Sequence, residues 1–132
     1  MGFDQYHEPP EELPAETRTF ARLSASLEEE AQAIGWYQQR LAVEPDAEAR
    51  AIMEDAQGEE FKHFSMDLEF LLRRTPRWRA IAKGVLFQDG DIVEHGEAAE
   101  AASEEGGDGD VEGSAGPGDG SLGIGSLKGE NQ

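Results

Sequence analysis

The chain has 132 residues, enough for one domain and an additional segment. Its formal net charge is −18, from 29 acidic and 11 basic residues. This balance argues against binding to nucleic acid or an anionic membrane and makes cations its natural partners. The chain has no cysteine, so a metal site must use nitrogen and oxygen ligands. No signal sequence or long apolar run stands out, so we expect a soluble, unprocessed, cytoplasmic protein.

Apolar spacing predicts helices after a mobile N-terminal segment, residues 1–15. Apolar side chains recur at steps of three and four, which indicates one face of a long helix that ends at Pro45. Asp46 can cap a second helix running from Ala47 to about Arg74. The apolar series of the first helix comprises Phe20, Leu23, Leu27, Ile34, Tyr37 and Leu41.

A shorter third helix should follow, with Thr75 as its N-cap and Pro76 at its first position. Because the connection at Pro45 is short, the first two helices should form an antiparallel hairpin. The helical domain is therefore predicted over residues 16–90.

The composition changes near residue 90, after which glycines and acids dominate and aromatic residues are absent. Such a segment cannot bury enough apolar area to offset its chain entropy. We therefore predict a disordered tail, divided into an acidic glycine-rich linker at 91–120 and an end segment at 121–132.

A two-helix hairpin exposes on one side what it buries on the other, and a domain this small buries a modest share of its surface. A second copy is the obvious cover. The predicted fold is thus all-α: a two-helix hairpin with a short third helix, which dimerises into a four-helix bundle.

Polar residues occupy positions on these apolar faces. Glu30 continues the first helix's series between Leu27 and Ile34, and Glu60 and His63 lie three residues apart on the second helix's face. Burying an unpaired carboxylate is costly enough that such groups neutralise, pair or bind a metal. The alternative is a solvated acidic patch at Glu28–Glu30 and a histidine that simply packs.

Di-iron carboxylate bundles take a glutamate from each of two helices and a Glu-x-x-His pair from each of the other two. This chain carries one of each, half of the set, so two chains would complete a site. Glu59, four residues before His63, can contribute from the flank. These ligands suit iron, and zinc or manganese fit them as well.

The stretches LEEEAQAIGWYQQR and EEFKH, together with the tail SLGIGSLKG, resemble the encapsulated ferritins of bacteria. The resemblance covers roughly residues 7–90 and 121–129. It implies a homodimer that resembles a ferritin bundle, dimers assembled into a decameric ring, and Fe(II) oxidation at a di-iron site between two subunits. Because the ring has no storage cavity, iron would pass to a surrounding encapsulin shell for mineralisation, inside which the protein would reside.

The resemblance places the iron ligands on Glu30, Glu60 and His63. Trp36 and Tyr37 match an aromatic pair close to that site. The Tyr37 hydroxyl could hydrogen-bond a ligand or a metal-bound water, and the alternative for Tyr37 is an ordinary interface aromatic.

An outer site where metal enters is also implied, because Glu29 matches an acid of that site. The family usually has a second acid one turn on, where this chain has Gln32. Metal attraction there should be weaker, and calcium and zinc are candidates for such secondary sites.

The tail resembles an encapsulin cargo-loading peptide, which folds on binding to the inner shell wall. Leu122, Ile124 and Leu127 would fill shallow pockets, and the preceding acidic segment would be an extended tether. The alternative is a low-complexity chain end.

These inferences predict a ferroxidase with a di-iron centre. One alternative is a rubrerythrin-like di-iron peroxidase, although that family usually carries a cysteine-rich module absent here. Another is a non-catalytic, metal-binding helical scaffold or cargo adaptor.

Overall fold

The computed structural model describes residues 5–106, which form α-helices joined by short connections. A short 3₁₀ turn at Pro10–Glu12 precedes α1, Ala15–Val43, and α2, Ala47–Arg74. The helices α3, Pro76–Val85, and α4, Ile92–Glu105, follow. Within these described residues there is no β-strand, and none of the helices is long and apolar enough to cross a membrane. The predicted all-α class is confirmed.

The long helices α1 and α2 pack along each other as an antiparallel hairpin. Asp46 caps α2 as predicted, since its Oδ1 accepts a 2.8 Å hydrogen bond from the Ala49 N–H. The Arg50 guanidinium donates to the Leu41 carbonyl and, at 3.4 Å, to the Glu44 carbonyl. These bonds satisfy carbonyls at the C-terminus of α1 and fix the turn.

The hairpin has little core of its own. Leu41, Leu71 and Leu72 are the only buried apolar side chains among residues 5–106, and they lie at the two ends of the hairpin. Elsewhere α2 exposes large apolar side chains, with Ile52 66% and Met66 61% exposed. Helical spacing places both on one face with His63. That face is the surface which the predicted dimer would cover.

The α2–α3 junction differs in detail from the prediction. Thr75 lies between the two helices as expected, but its side chain does not cap α3. Its hydroxyl instead donates a 3.0 Å hydrogen bond back to the Leu71 carbonyl of α2. The Arg79 guanidinium also bonds Glu69 at 3.2 Å, so polar contacts hold α3 against the end of α2.

The prediction of disorder from residue 91 onward is wrong for α4. Asp91 caps this helix by accepting a 2.9 Å bond from the Glu94 N–H, and the helix packs on α3. The segment EAAEAASEE has high helix propensity. Averaging the composition over the whole tail hid it, because most tail glycines come later. The rest of the predicted linker and the segment 121–132 lie outside the described residues.

Candidate metal centre

The structure brings Glu30, Glu60 and His63 together. One ligand atom from each lies within 4.8 Å of the others, so a single ion could contact all three. Glu30 comes from the middle of α1 and the other two from α2. Both glutamates are half-buried, and the His63 side chain is 45% exposed. The three residues lie at the interface between α1 and α2, which we call the seam. They adjoin the exposed face of α2 that carries Ile52 and Met66, which we call the uncovered face.

The register between α1 and α2 determines that Glu30 lies beside Glu60 and His63. Gln57, a buried side chain of α2, donates a 3.2 Å bond to the Ile34 carbonyl and a 3.0 Å bond to Gln38 Oε1. Gln57 lies one helical turn from Glu60 on α2, and its partners Ile34 and Gln38 lie one and two turns beyond Glu30 on α1. A buried amide with specific hydrogen-bond partners prevents one helix from sliding along the other. Uniform apolar packing alone would not fix this register.

The environment of Glu30 disfavours its charge. Burial in the seam, followed by contact with the Asp67 carboxyl and the negative charges of Asp67, Glu60 and Glu29, raises the Glu30 pKa from 4.5 to about 7. Ionised carboxylates are acceptors only, so Glu30 and Asp67 can hydrogen-bond each other only when one is protonated. A bound cation would relieve the same repulsion.

Two carboxylate oxygens, one in this group and one beside it, could bind a cation. Glu30 Oε2 and Asp67 Oδ2 are buried and have no hydrogen-bond partner among residues 5–106. Buried carboxylate oxygens are normally satisfied, and hard oxygen donors with one imidazole suit iron, manganese or zinc. The residues present therefore fit a metal ion.

Asp67 was not among the predicted ligands. The pattern contained it, because Asp67 follows His63 by four residues and Glu60 by seven, the same step that selected those two. Met66, the residue before it, is 61% exposed, whereas Asp67 is half-buried beside Glu30.

The predicted outer site lies on the surface of α1, where Glu29, Gln32 and Trp36 are all exposed. Trp36 is 54% exposed, and the Glu29 charge contributes to the raised pKa of Glu30. Glu29 therefore lies close enough to the centre to influence an ion there. Its role in metal entry stays a prediction.

Tyr37 is half-buried on α1, two turns beyond Glu30 on the same helix face. The Arg40 guanidinium carbon lies 5.3 Å from its ring centroid, a cation–π contact. The predicted hydrogen bond to a ligand or bound water stays a prediction.

The flanking acid Glu59 is not in this group and pairs instead with Lys62 on the same helix. Its Oε2 lies 2.5 Å from Lys62 Nζ and 3.9 Å from His63 Nε2. The bond to Lys62 lowers the Glu59 pKa. Glu59 is thus a compensated surface acid beside the group. The predicted targeting residues Leu122, Ile124 and Leu127 lie outside the described part of the chain.

A helical hairpin that gathers two glutamates and a histidine at its seam corresponds to half of a ferritin-like bundle. Residues 5–89 match the EncFtn-like family. The chain belongs to this family, and the resemblance stated from its motifs is confirmed.

Individual proteins similar to this chain agree with the family assignment. A Rhodospirillum rubrum protein named encapsulated ferritin-like protein is 43% identical over 124 residues, which cover 94% of this chain and 88% of the relative. A ferritin-like protein of Thermotoga maritima is 42% identical over 101 residues, covering 76% and 89%. The crystal structure of protein ne0167 from Nitrosomonas europaea superposes with a TM-score of 0.65 and 38% identity, covering 67% of this chain and 98% of that one.

Proposed function

We propose that this protein is a ferroxidase that oxidises Fe(II) to Fe(III) with O₂ at a di-iron site between two subunits. The observation that carries the proposal is the meeting of Glu30, Glu60 and His63 within 4.8 Å, in a chain of the EncFtn-like family. Bridging carboxylates and a terminal imidazole tolerate both iron oxidation states. Iron is the substrate of this reaction.

The proposal requires two chains. One chain offers the glutamate and the Glu-x-x-His pair, and a di-iron bundle uses two of each. The uncovered face carries Ile52 and Met66 beside His63, so a second hairpin seated there would bury apolar surface and bring its own ligands to the same place. Assembly of such dimers into a decameric ring rests on the family resemblance.

The reaction balances without a further reductant. Two Fe(II) ions each lose one electron, and one O₂ takes up both electrons with two protons to give hydrogen peroxide. Glu30 and Glu60 would hold the two ions close together, with His63 as terminal ligand. Tyr37 would hydrogen-bond a ligand, and Glu29 would guide ions inward. The protein's part is to fix ligand number and geometry and to leave positions open for O₂.

The same proposal includes delivery. A relative is named encapsulated ferritin-like protein, which supports an encapsulin shell as partner. The peptide with Leu122, Ile124 and Leu127 would dock on that shell and place the protein in a cytoplasmic nanocompartment, where the ferric product mineralises. Calcium or zinc would occupy secondary sites such as the one near Glu29.

The test is anaerobic loading of Fe(II), followed by a pulse of O₂ and measurement of ferric absorbance. His63→Ala should lower the oxidation rate at least ~100-fold, since loss of the imidazole opens the ligand set. His7→Ala is the matched control, because His7 is exposed near the N-terminus. A rate equal to wild type in His63→Ala would overturn the proposal. Binding of Fe(II) without a catalysed ferric signal in the wild type would point to the non-catalytic scaffold.

A further inference from the structure

Asp67 and Glu30 present carboxylates to each other across the α1–α2 seam. Asp67 Oδ2 and Glu30 Oε2 are both buried and both lack a hydrogen-bond partner within residues 5–106. The two groups are close enough to act as hydrogen-bonding neighbours whenever one is protonated. Two facing acids with no donor between them are costly inside a protein, so the arrangement calls for an explanation.

Other acids on α2 have their charges compensated by side chains. Glu59 pairs with Lys62 at 2.5 Å, and Glu69 bonds Arg73 at 2.8 Å and Arg79 at 3.2 Å. By contrast, no lysine, arginine or histidine in the described range 5–106 forms an ion pair with Glu30 or Asp67. Within residues 5–106 the charges of Glu30 and Asp67 therefore have no protein counterion, and a bound cation or a shared proton would neutralise them.

The position of Asp67 matches the proposed metal centre. It lies one turn beyond His63 and two turns beyond Glu60 on the same helix face, and it contacts Glu30 on the facing helix. Asp67 is not one of the three residues whose ligand atoms lie within 4.8 Å of one another, but it borders that group through its contact with Glu30. We propose that Asp67 is a fourth metal-binding residue of each half-site, an inference that rests on the proposed function.

The negative charge of Asp67 suggests a specific role for this residue at the proposed site. In the proposed dimer, Glu30 and Glu60 of both chains would supply four carboxylates, whose charge balances that of two divalent ions. Asp67 from each chain raises the set to six, which balances two ferric ions. The added aspartate thus favours the oxidised pair and lowers the cost of the charge that develops during oxidation.

The opposing explanation is that Asp67 only shares a proton with Glu30 and competes with the metal. The two explanations predict opposite signs. If Asp67 is a ligand, removing its charge weakens metal binding. If Asp67 only holds a proton on Glu30, removing it frees Glu30 to ionise, and metal binding stays equal or becomes tighter.

The experiment is calorimetric titration of the full chain with Co(II), with the visible absorption of the bound Co(II) recorded in parallel. Asp67→Asn should lower the affinity roughly 10- to 100-fold and change the Co(II) absorption bands, because a charged oxygen donor is lost. Asp55→Asn is the matched control, since Asp55 is exposed on the same helix. It should leave both measurements unchanged.

Two further variants make the result decisive. Asp67→Ser is measured beside Asp67→Asn, with helical content from circular dichroism, so that the comparison uses a folded protein. Co(II) affinity at or above wild type in a folded Asp67 variant overturns the role of Asp67. His63→Ala separates this result from the proposed function: if His63→Ala loses Co(II) and Asp67→Asn does not, Asp67 alone is refuted. If His63→Ala binds Co(II) like wild type, the whole site is refuted.

Discussion

The α1–α2 seam and the α3–α4 contact pack their helices through different kinds of residue. The middle of the α1–α2 seam contains the polar groups Gln57, Glu30 and Asp67, and the fully buried apolar side chains lie only at its ends. The α3–α4 contact uses small residues in close approach. A Cβ built on Gly84 would lie 2.5 Å from the Ala99 Cβ.

Buried carboxylates without a hydrogen-bond partner destabilise the metal-free α1–α2 hairpin, as expected for the metal site proposed above. Small residues at α3–α4 bring the two backbones close and leave no polar group in need of a partner. Substitutions in the two regions should therefore differ in sign, size and sensitivity to pH.

The largest effect should come from Gly84→Val. The valine Cβ cannot fit against Ala99, so α4 must shift or detach, at a cost of about 3 kcal/mol to the α3–α4 contact. Hydrogen exchange of the α4 amides should accelerate while those of α1 and α2 stay protected, which would show that the two regions are separable.

The matched control is Gly96→Val on α4. Nothing lies within 4 Å of a Cβ at Gly96, so the change should alter stability by less than ~0.5 kcal/mol. Unchanged exchange of α4 in Gly84→Val would mean that close packing does not hold this helix.

A smaller effect of opposite sign is expected from Glu30→Gln in metal-free protein. Because folding raises the Glu30 pKa from 4.5 to about 7, the folded state binds this proton more tightly than the unfolded chain does. The resulting stability is complete below pH 4.5 and is lost as the pH rises through 7. A neutral glutamine avoids that loss, so the variant should exceed wild type at pH 8 by roughly 1–2 kcal/mol.

The measurement is the urea midpoint of chelator-treated protein at pH 5.5 and pH 8. The advantage of Glu30→Gln should be smaller at pH 5.5, and Glu28→Gln, at an exposed position of the same helix, should show no such dependence. An equal advantage at both pH values would contradict the assignment of a raised pKa to Glu30. With Fe(II) added, the order should reverse, since glutamine is a poor iron ligand.

Much of the hairpin could be predicted from the sequence, because its determinants are local. Pro45 and Asp46 set the turn, and period-three-and-four spacing sets the faces, so the bounds of α1, α2 and α3 follow closely. Glu30, Glu60 and His63 were found because each interrupts an apolar series, and the structure brings the three together.

The predictions that differ from the structure concern features that depend on contacts outside the local sequence segment. The Thr75 hydroxyl bonds back to Leu71, because the carbonyl at the end of α2 offers an acceptor that competes with the N-cap role. Asp67 fits the helical step from Glu60 and His63, but its buried neighbour Glu30 lies on the facing helix, so the α2 sequence alone did not distinguish it from a surface acid. Helix α4 depends on a docking surface on α3, which the composition of the tail could not show.

The smallest effect should come from the ion pair at the edge of the α3–α4 contact. Arg77 Nη2 lies 3.4 Å from Glu104 Oε1, and both side chains are more than half exposed, at 61% and 64%. Solvent screens such a pair, so Arg77→Met should cost less than ~1 kcal/mol, and added salt should remove most of the difference. Thermal unfolding at low and high ionic strength measures this. A loss as large as that of Gly84→Val, or one that persists in high salt, would mean that charge rather than close approach holds α4, and the contrast between the two regions would fail.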